Sequence, residues 1–470
     1  MNSMSSIFND DFLLDSEFAV NLYTETCDLP IVDYHSHLPV EVISQNRKFS
    51  NLTDIWIRGD HYKWRAMRLN GVSEKYCSGT ADDFEKFQSW AATLPMTLRN
   101  PLYHWSALEL KKYFGVHTVL NPETALPIWE QANAMLAGDD YRPRALLKKM
   151  NVEVLCTTDD PADTLKHHAQ LKADAFEVAV LPTFRPDAAL AISDRQNFSA
   201  WLGRLASTTD IDIDNFDALL SALRMRHDAF AKAGCRMSDH GLERCYVEPC
   251  READMRHIFN KYLHNVDIES LDVERWRSFL MLEFARWNHE KGWTMLLHLG
   301  AARNNNQHVL HSVGRDAGCD SIGDYKQAYR LNRFLSLLDA EGQLPKTVLF
   351  NSNPVDNFLF ATVTGNFFED SVACKVQFGP AWWFLDTAQG ICDQLNALSQ
   401  VGLFSRFIGM VTDSRSFMSF SRHDYFRRVV CNMLGEDVRR RLIPDDMARL
   451  VPILQGIFYQ NACQYVGKCS

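Results

Sequence analysis

Short apolar runs recur along the chain, each followed by a polar or charged residue and then by a longer stretch with helical spacing. The runs are IVDYH from Ile31, VEVLC from Val152, FEVAVLP from Phe176, CRMSD from Cys235, TMLLH from Thr294, TVLFN from Thr347, KVQF from Lys375 and FIGMV from Phe407. Runs without polar alternation fit strands covered by helices on both faces, the form of a parallel sheet built from βα units. Eight such strands close on themselves, so the pattern predicts an α/β fold of the (β/α)8 barrel type. The rhythm is uneven. Between the first two runs, residues 40–150 carry segments such as LTDIWIRGDHYKWRAMRLNGV, with apolar positions three and four apart. That spacing predicts a mainly helical insertion after strand one, within a single barrel domain spanning residues 1–470.

The residues that end each run carry the chemistry. His35 and His37 follow the first run, Thr158 and Asp159 the second, Arg185 the third, and Asp239 and His240 the fourth. His298 ends the fifth and Asn351 the sixth; Trp382 and Trp383 trail the seventh, and Asp413 with Arg415 closes the series. In a barrel, the C-terminal ends of all strands share one rim, so these groups are expected to converge. Residues i and i+2 of an extended strand face the same side, so the imidazoles of His35 and His37 project together. With Asp413 they make a donor set suited to zinc or another divalent first-row ion, with coordination positions left for water or substrate. His298 is a further ligand or a substrate contact. Asn351 is a poor ligand, which points to one ion rather than a pair.

Composition narrows the partners. The net charge of −10 and the scattered lysines and arginines disfavour a nucleic-acid surface. No apolar stretch is long enough for a membrane span, and MNSMSSIFNDDFLLDSEF lacks the pattern of a secretory signal. Twelve cysteines without a C-x-x-C pair read as buried, reduced thiols of a cytoplasmic protein. Arg185, Arg303 and Arg415 sit at strand ends of an acidic chain, and GDHYKWRAMR adds His61, Tyr62, Lys63, Arg65 and Arg68. A guanidinium fork matches a carboxylate or phosphate, whereas the glycine motifs of nucleotide sites are absent, so the expected ligand carries a carboxylate or phosphate and is not a nucleotide.

Taken together and in order, VDYHSHL, GDHYKWRAMR, HLGAARNNN, AWWFLD and TDSRSF resemble uronate isomerase (glucuronate isomerase), a divergent branch of the amidohydrolase superfamily. Ser36 stands where many members have cysteine, and Leu299 where isoleucine is common. The resemblance implies a distorted TIM barrel, a single zinc-type ion, and interconversion of D-glucuronate with D-fructuronate and of D-galacturonate with D-tagaturonate. It implies that Asp413 collects the hydroxyl proton and that Tyr62 or His61 carries the carbon-bound one, with Lys63 and Arg65 favouring a phenolate. Arg185, Arg303 and Arg415 would hold the C6 carboxylate and hydroxyls, with His298 and Trp382 as further substrate contacts. The competing reading is a metal-dependent hydrolase on the same scaffold, which accounts for the ion ligands but not for the arginines. A homo-oligomer is expected from the aromatic-rich insertion.

Overall fold

The computed structural model describes residues 7–467, so the first residues of the stretch read for a secretory signal lie outside it. Seven strands carry the frame among the described residues: β1 (Ile31–Asp33), β2 (Val152–Cys156), β3 (Ala179–Leu181), β4 (Met237–Leu242), β5 (Thr294–Leu299), β6 (Lys346–Asn351) and β7 (Val376–Phe378). All pair in parallel with their neighbours, β1-β2-β3 in one sheet and β4-β5-β6-β7 in another. Every residue of β5 is buried, as the run of unalternated apolar residues requires. Phe184 forms parallel bridges to both Asp159 and Ser238, stitching the two sheets together through one residue.

The eighth run, FIGMV, forms no ladder. Gly409 lies in the left-handed region at φ +94, and a Cβ there would collide with the Ile457 carbonyl oxygen, so regular extension is broken. The segment is tied to the β1 end individually instead. The Thr412 amide and hydroxyl donate to the two oxygens of Asp33 at 2.8 and 2.5 Å. Farther on, the Asp413 amide donates to the His35 carbonyl at 3.2 Å, and the His37 amide to the Ser414 carbonyl at 3.1 Å. The α/β frame is therefore parallel over seven strands, with one register shift between Ile31 and Val32, and the last segment lies against the first through side-chain and loop hydrogen bonds.

Between β1 and β2 the chain is mainly helical, including His61–Leu69, Asp83–Thr93, Pro101–Phe114 and Ala125–Leu136. Local chemistry sets their ends. Asp82 and Glu85 form a reciprocal capping box, Asn100 caps the helix that starts with Pro101, and Gly115 ends it at φ +65. The fully buried Trp56 and Trp90 meet edge to face, with ring centres 6.5 Å apart. Trp56 donates its indole N–H to Glu109 at 2.5 Å, which satisfies one oxygen of a buried carboxylate. No helix among the described residues is long and apolar enough to cross a membrane. Among the described residues ten cysteines are free thiols, five of them buried, but Cys463 is disulfide-bonded, so the expectation of a wholly reduced set does not hold.

Asp159, just past β2, shows how the rim is held. It accepts the Thr157 hydroxyl at 2.7 Å and the Thr183 amide at 3.1 Å, and burial pushes its carboxyl up to about 7. An unfolded aspartate titrates near ~3.9. Between these values the folded chain binds the proton more tightly, so stability falls as pH rises through the window and is level above it. Asp159→Asn removes that dependence, with an upper bound on the order of 4 kcal/mol, the free-energy equivalent of raising the carboxyl to about 7. We expect the variant to melt above wild type at pH 8 and to lose this advantage towards pH 4. Equal melting temperatures at pH 8 would show that burial does not strain the carboxylate.

Candidate active site

The site grows from the C-terminal ends of the strands. Leaving β1, the chain turns His35 inward to full burial and leaves His37 half-buried, their rings 5.1 Å apart and nearly perpendicular. Asp413 arrives from the last segment with φ +42, a left-handed conformation uncommon for a residue with a side chain. Its Oδ1 lies 3.0 Å from Nε2 of His35 and 3.0 Å from Nε2 of His37. Its Oδ2 accepts the Trp382 indole N–H at 2.6 Å. Trp382, expected among the substrate contacts, thus lines the cavity while directing its one donor at Asp413.

A second layer lies beneath. His298, on β5, holds Asp239 of β4 through Nδ1 at 2.7 Å and stacks on Phe350 at 4.0 Å. Asp239 in turn receives Arg185 Nη1 at 2.7 Å, and Arg185 Nε reaches Asp187 at 2.9 Å. Two of the three Arg185 nitrogens are therefore committed to the protein's own carboxylates. Its Nη2 lies so close to Gly241 that a Cβ there would stand 2.5 Å away, so a larger residue would displace the end of the guanidinium. Asp239 is visible in the sequence as a strand-end carboxylate, but its partners on β5 and after β3 cannot be read from spacing.

Electrostatics follow from this arrangement. Burial disfavours charge on Asp413, but the two imidazoles outweigh it and hold the carboxyl well below the usual range. Asp239 is likewise buried, and Arg185, His35 and His298 hold it well below that range. Burial works against protonation of His35 too, yet Asp239 and Asp413 prevail and raise its pKa. For His298 burial wins over Asp239, and the ring falls to about 4.

At the mouth, Asp60 caps the helix His61–Leu69 by accepting the amides of Tyr62 and Lys63 at 3.0 Å each. The His61 and Tyr62 rings stack, 4.5 Å apart. Lys63 turns back to Asp60 at 2.6 Å, and Arg65 donates to the carbonyls of Gly318 and Asp320. Neither cation is placed to stabilise a phenolate, contrary to expectation. Burial, reinforced by Asp413 and only partly opposed by Arg422, raises Tyr62 well above its ordinary value, so it is a phenol at neutral pH. Arg303 lies 4.9 Å over the Trp383 ring, and Arg415 pairs with Asp316 at 3.1 Å. Asp316, on the long loop after β5, is a site residue that sequence reasoning misses, because no motif marks it.

One cavity of about 380 Å³ unites these parts. The ten candidates for catalysis, substrate binding and ion ligation line it, His35, His37, His61, Tyr62, Arg185, His298, Arg303, Trp382, Asp413 and Arg415, whereas the strand-end residues Asp159, Asp239, His240 and Asn351 do not. A cation fits its floor. The donor atoms of His35, His37 and Asp413 lie within 4.8 Å of one another, and so do those of His35, Asp239 and His298. His35 Nδ1 and His298 Nε2 are buried with no hydrogen-bond partner among the described residues, and mixed nitrogen and carboxylate donors suit a first-row divalent ion.

The glucuronate isomerase family model matches residues 4–466. A uronate isomerase of Cellvibrio japonicus is 48% identical over 463 residues, covering 98% of each chain, and one of Opitutus terrae matches to the same extent. Among solved structures, a uronate isomerase from Thermotoga maritima superposes with a TM-score of 0.92 at 33% identity, over 97% of this chain and 99% of its own. A glucuronate isomerase from Caulobacter crescentus gives 0.90 at 27% identity, over 98% and 96%. The chain belongs to the glucuronate isomerase family.

Proposed function

We propose that this cavity interconverts aldose and ketose forms of hexuronates, D-glucuronate with D-fructuronate and D-galacturonate with D-tagaturonate. The observation that carries the reading is the polarity of one cavity: paired imidazoles share a carboxylate oxygen at its buried end, and the exposed Arg303 and Arg415 line its solvent side. A uronate has this same division, a reacting carbonyl at one end and a carboxylate at the other. Arg303 and Arg415 bind the C6 carboxylate, which competes with Asp316 for Arg415. Arg185 orients Asp239 and leaves Nη2 for a substrate oxygen.

The reaction moves a proton between C2 and C1 and another between the two oxygens, through an enediolate that needs electrostatic stabilisation. His35, His37 and Asp413 would hold a zinc-type ion, which when bound supplies a Lewis acid for the reacting oxygens. Tyr62, as a phenol, donates a hydrogen bond to the developing oxyanion. His61 has its pKa lowered by burial despite Asp60, so it is neutral and able to take the proton from carbon. Asp413 takes the hydroxyl proton, with Trp382 fixing its second oxygen.

The proposal extends to closure of the strands into a distorted eight-stranded barrel, residues 40–150 as its helical insertion, self-association, and a cytoplasmic setting. Incubating the protein with a panel of uronates, with and without added divalent ions, tests the function. Loss of glucuronate aldehyde with formation of a ketose supports it; release from esters or lactones without isomerisation would favour the hydrolase instead.

A further inference from the structure

A second, much smaller cavity of about 10 Å³ shares Tyr62, Trp382, Trp383 and Asp413 with the first. Its walls include Tyr62, Trp382, Asp386, Asp413 and Arg422, so it backs directly onto the reacting groups. Asp386 and Arg422 are ionisable groups that the mechanism does not use, and each is only 4% exposed. Asp386 follows the turn Trp383–Leu385, and Arg422 lies in the first turn of the helix Ser421–Arg439. Their closest approach is 3.6 Å, too long for a direct hydrogen bond.

The two residues nevertheless touch the segments that carry Tyr62, Trp382 and Asp413. Arg422 Nη1 donates at 2.9 Å to the carbonyl of Thr412, the residue before Asp413. Its guanidinium lies 4.0 Å from the Trp105 ring centre and 5.6 Å from that of Tyr62. The Asp386 amide closes the turn by donating to the Trp383 carbonyl at 3.2 Å, just after the tryptophan that holds Asp413. Asp386 Oδ1 and Arg422 Nε have no hydrogen-bond partner among the described residues. Buried charges persist when their remaining polar atoms are satisfied, and a polar cavity of roughly 10–15 Å³ takes one water. A water within reach of both Asp386 Oδ1 and Arg422 Nε would satisfy the two unpaired atoms, whereas the 3.6 Å between Arg422 Nη1 and Asp386 Oδ2 is too short to admit one in between.

We propose that Asp386 and Arg422 are positioning residues, joined through one ordered water, that hold the Tyr62 ring, the Trp382 turn and Asp413 in register. The assignment rests on the isomerase reading above. The test has two independent parts. A high-resolution crystal structure of the wild-type protein is expected to show one water within hydrogen-bond distance of both Asp386 Oδ1 and Arg422 Nε. In uronate assays, Asp386→Asn and Arg422→Met are expected to lower kcat by about 10-fold to 100-fold, the range for residues that orient reacting groups. KM should change little, Asp386→Asn should melt as wild type does, and Arg422→Lys should recover part of the Arg422→Met loss. A merely structural role would lower the melting temperature and leave kcat per folded molecule intact. Full kcat in folded Asp386→Asn overturns the positioning role, and a dry cavity overturns the water-joined pair even where the variants fail to fold. Wild-type protein inactive on every uronate overturns the isomerase reading itself.

Discussion

Asp413→Asn is expected to lower kcat by roughly 10³-fold, the loss that several kcal/mol of metal-assisted charge stabilisation represents. The substitution isolates charge from shape. Among residues with a side chain, Asn is one that tolerates the left-handed backbone found here at φ +42, so the segment keeps its path beside β1. An amide oxygen can still accept the Trp382 indole N–H. What disappears is the anion shared by His35 and His37, whose Nε2 atoms both lie 3.0 Å from one oxygen. In the variant, an amide nitrogen or a neutral oxygen takes that place, and neither matches a carboxylate as a ligand for a divalent ion. The bound ion should therefore fall well below one per chain in elemental analysis, while the melting curve of the ion-free protein changes little. Full metal occupancy with near-normal turnover would remove Asp413 from the ion site.

Sequence reasoning reaches some of these positions and not others. TMLLH from Thr294 forms β5 because a strand buried on both faces must be apolar without alternation, and VEVLC forms β2 with Glu153 alone left partly exposed. FIGMV has the same composition but no ladder, since Gly409 takes a conformation that composition does not encode. The gathering of His35, His37, Arg185, His298, Trp382 and Asp413 into one cavity is legible from their places at strand ends, whereas Asp159, Asp239, His240 and Asn351, read the same way, stay outside its lining. Directions within the cavity are not. Proximity in sequence puts Lys63 beside Tyr62, yet helical geometry returns it to the capping residue Asp60, three positions earlier. Arg185 reads as an anion anchor, whereas Asp239 and Asp187 already occupy two of its nitrogens. Pairings of this kind depend on the lateral order of strands, which one chain's spacing does not carry.

Tyr62→Phe removes one oxygen and little else, which makes its expected effect on turnover informative. The ring stacks on His61 at 4.5 Å and meets Trp105 edge-on at 6.2 Å, contacts that phenylalanine reproduces. Substrate binding through Arg303 and Arg415 is untouched, so KM should stay within a few-fold. Loss of a positioned proton donor or acceptor costs about 10²–10⁴ in kcat, and His61→Asn is expected to fall in the same range. The double variant should lose little more than the worse single one, because both groups act on the same transfer. Their pH profiles tell the roles apart. The His61 imidazole lies below its ordinary value because burial disfavours its charge, more than Asp60 restores it. As the base it must be neutral, so wild-type kcat should fall on the acid side with a midpoint below about 6.5. Tyr62, pushed up by burial and Asp413, should remain a phenol across the neutral range and add no basic limb there. Tyr62→Phe should then keep the acid limb at reduced height, while His61→Asn should flatten it. An acid limb that survives in His61→Asn would assign the carbon-bound proton to another group.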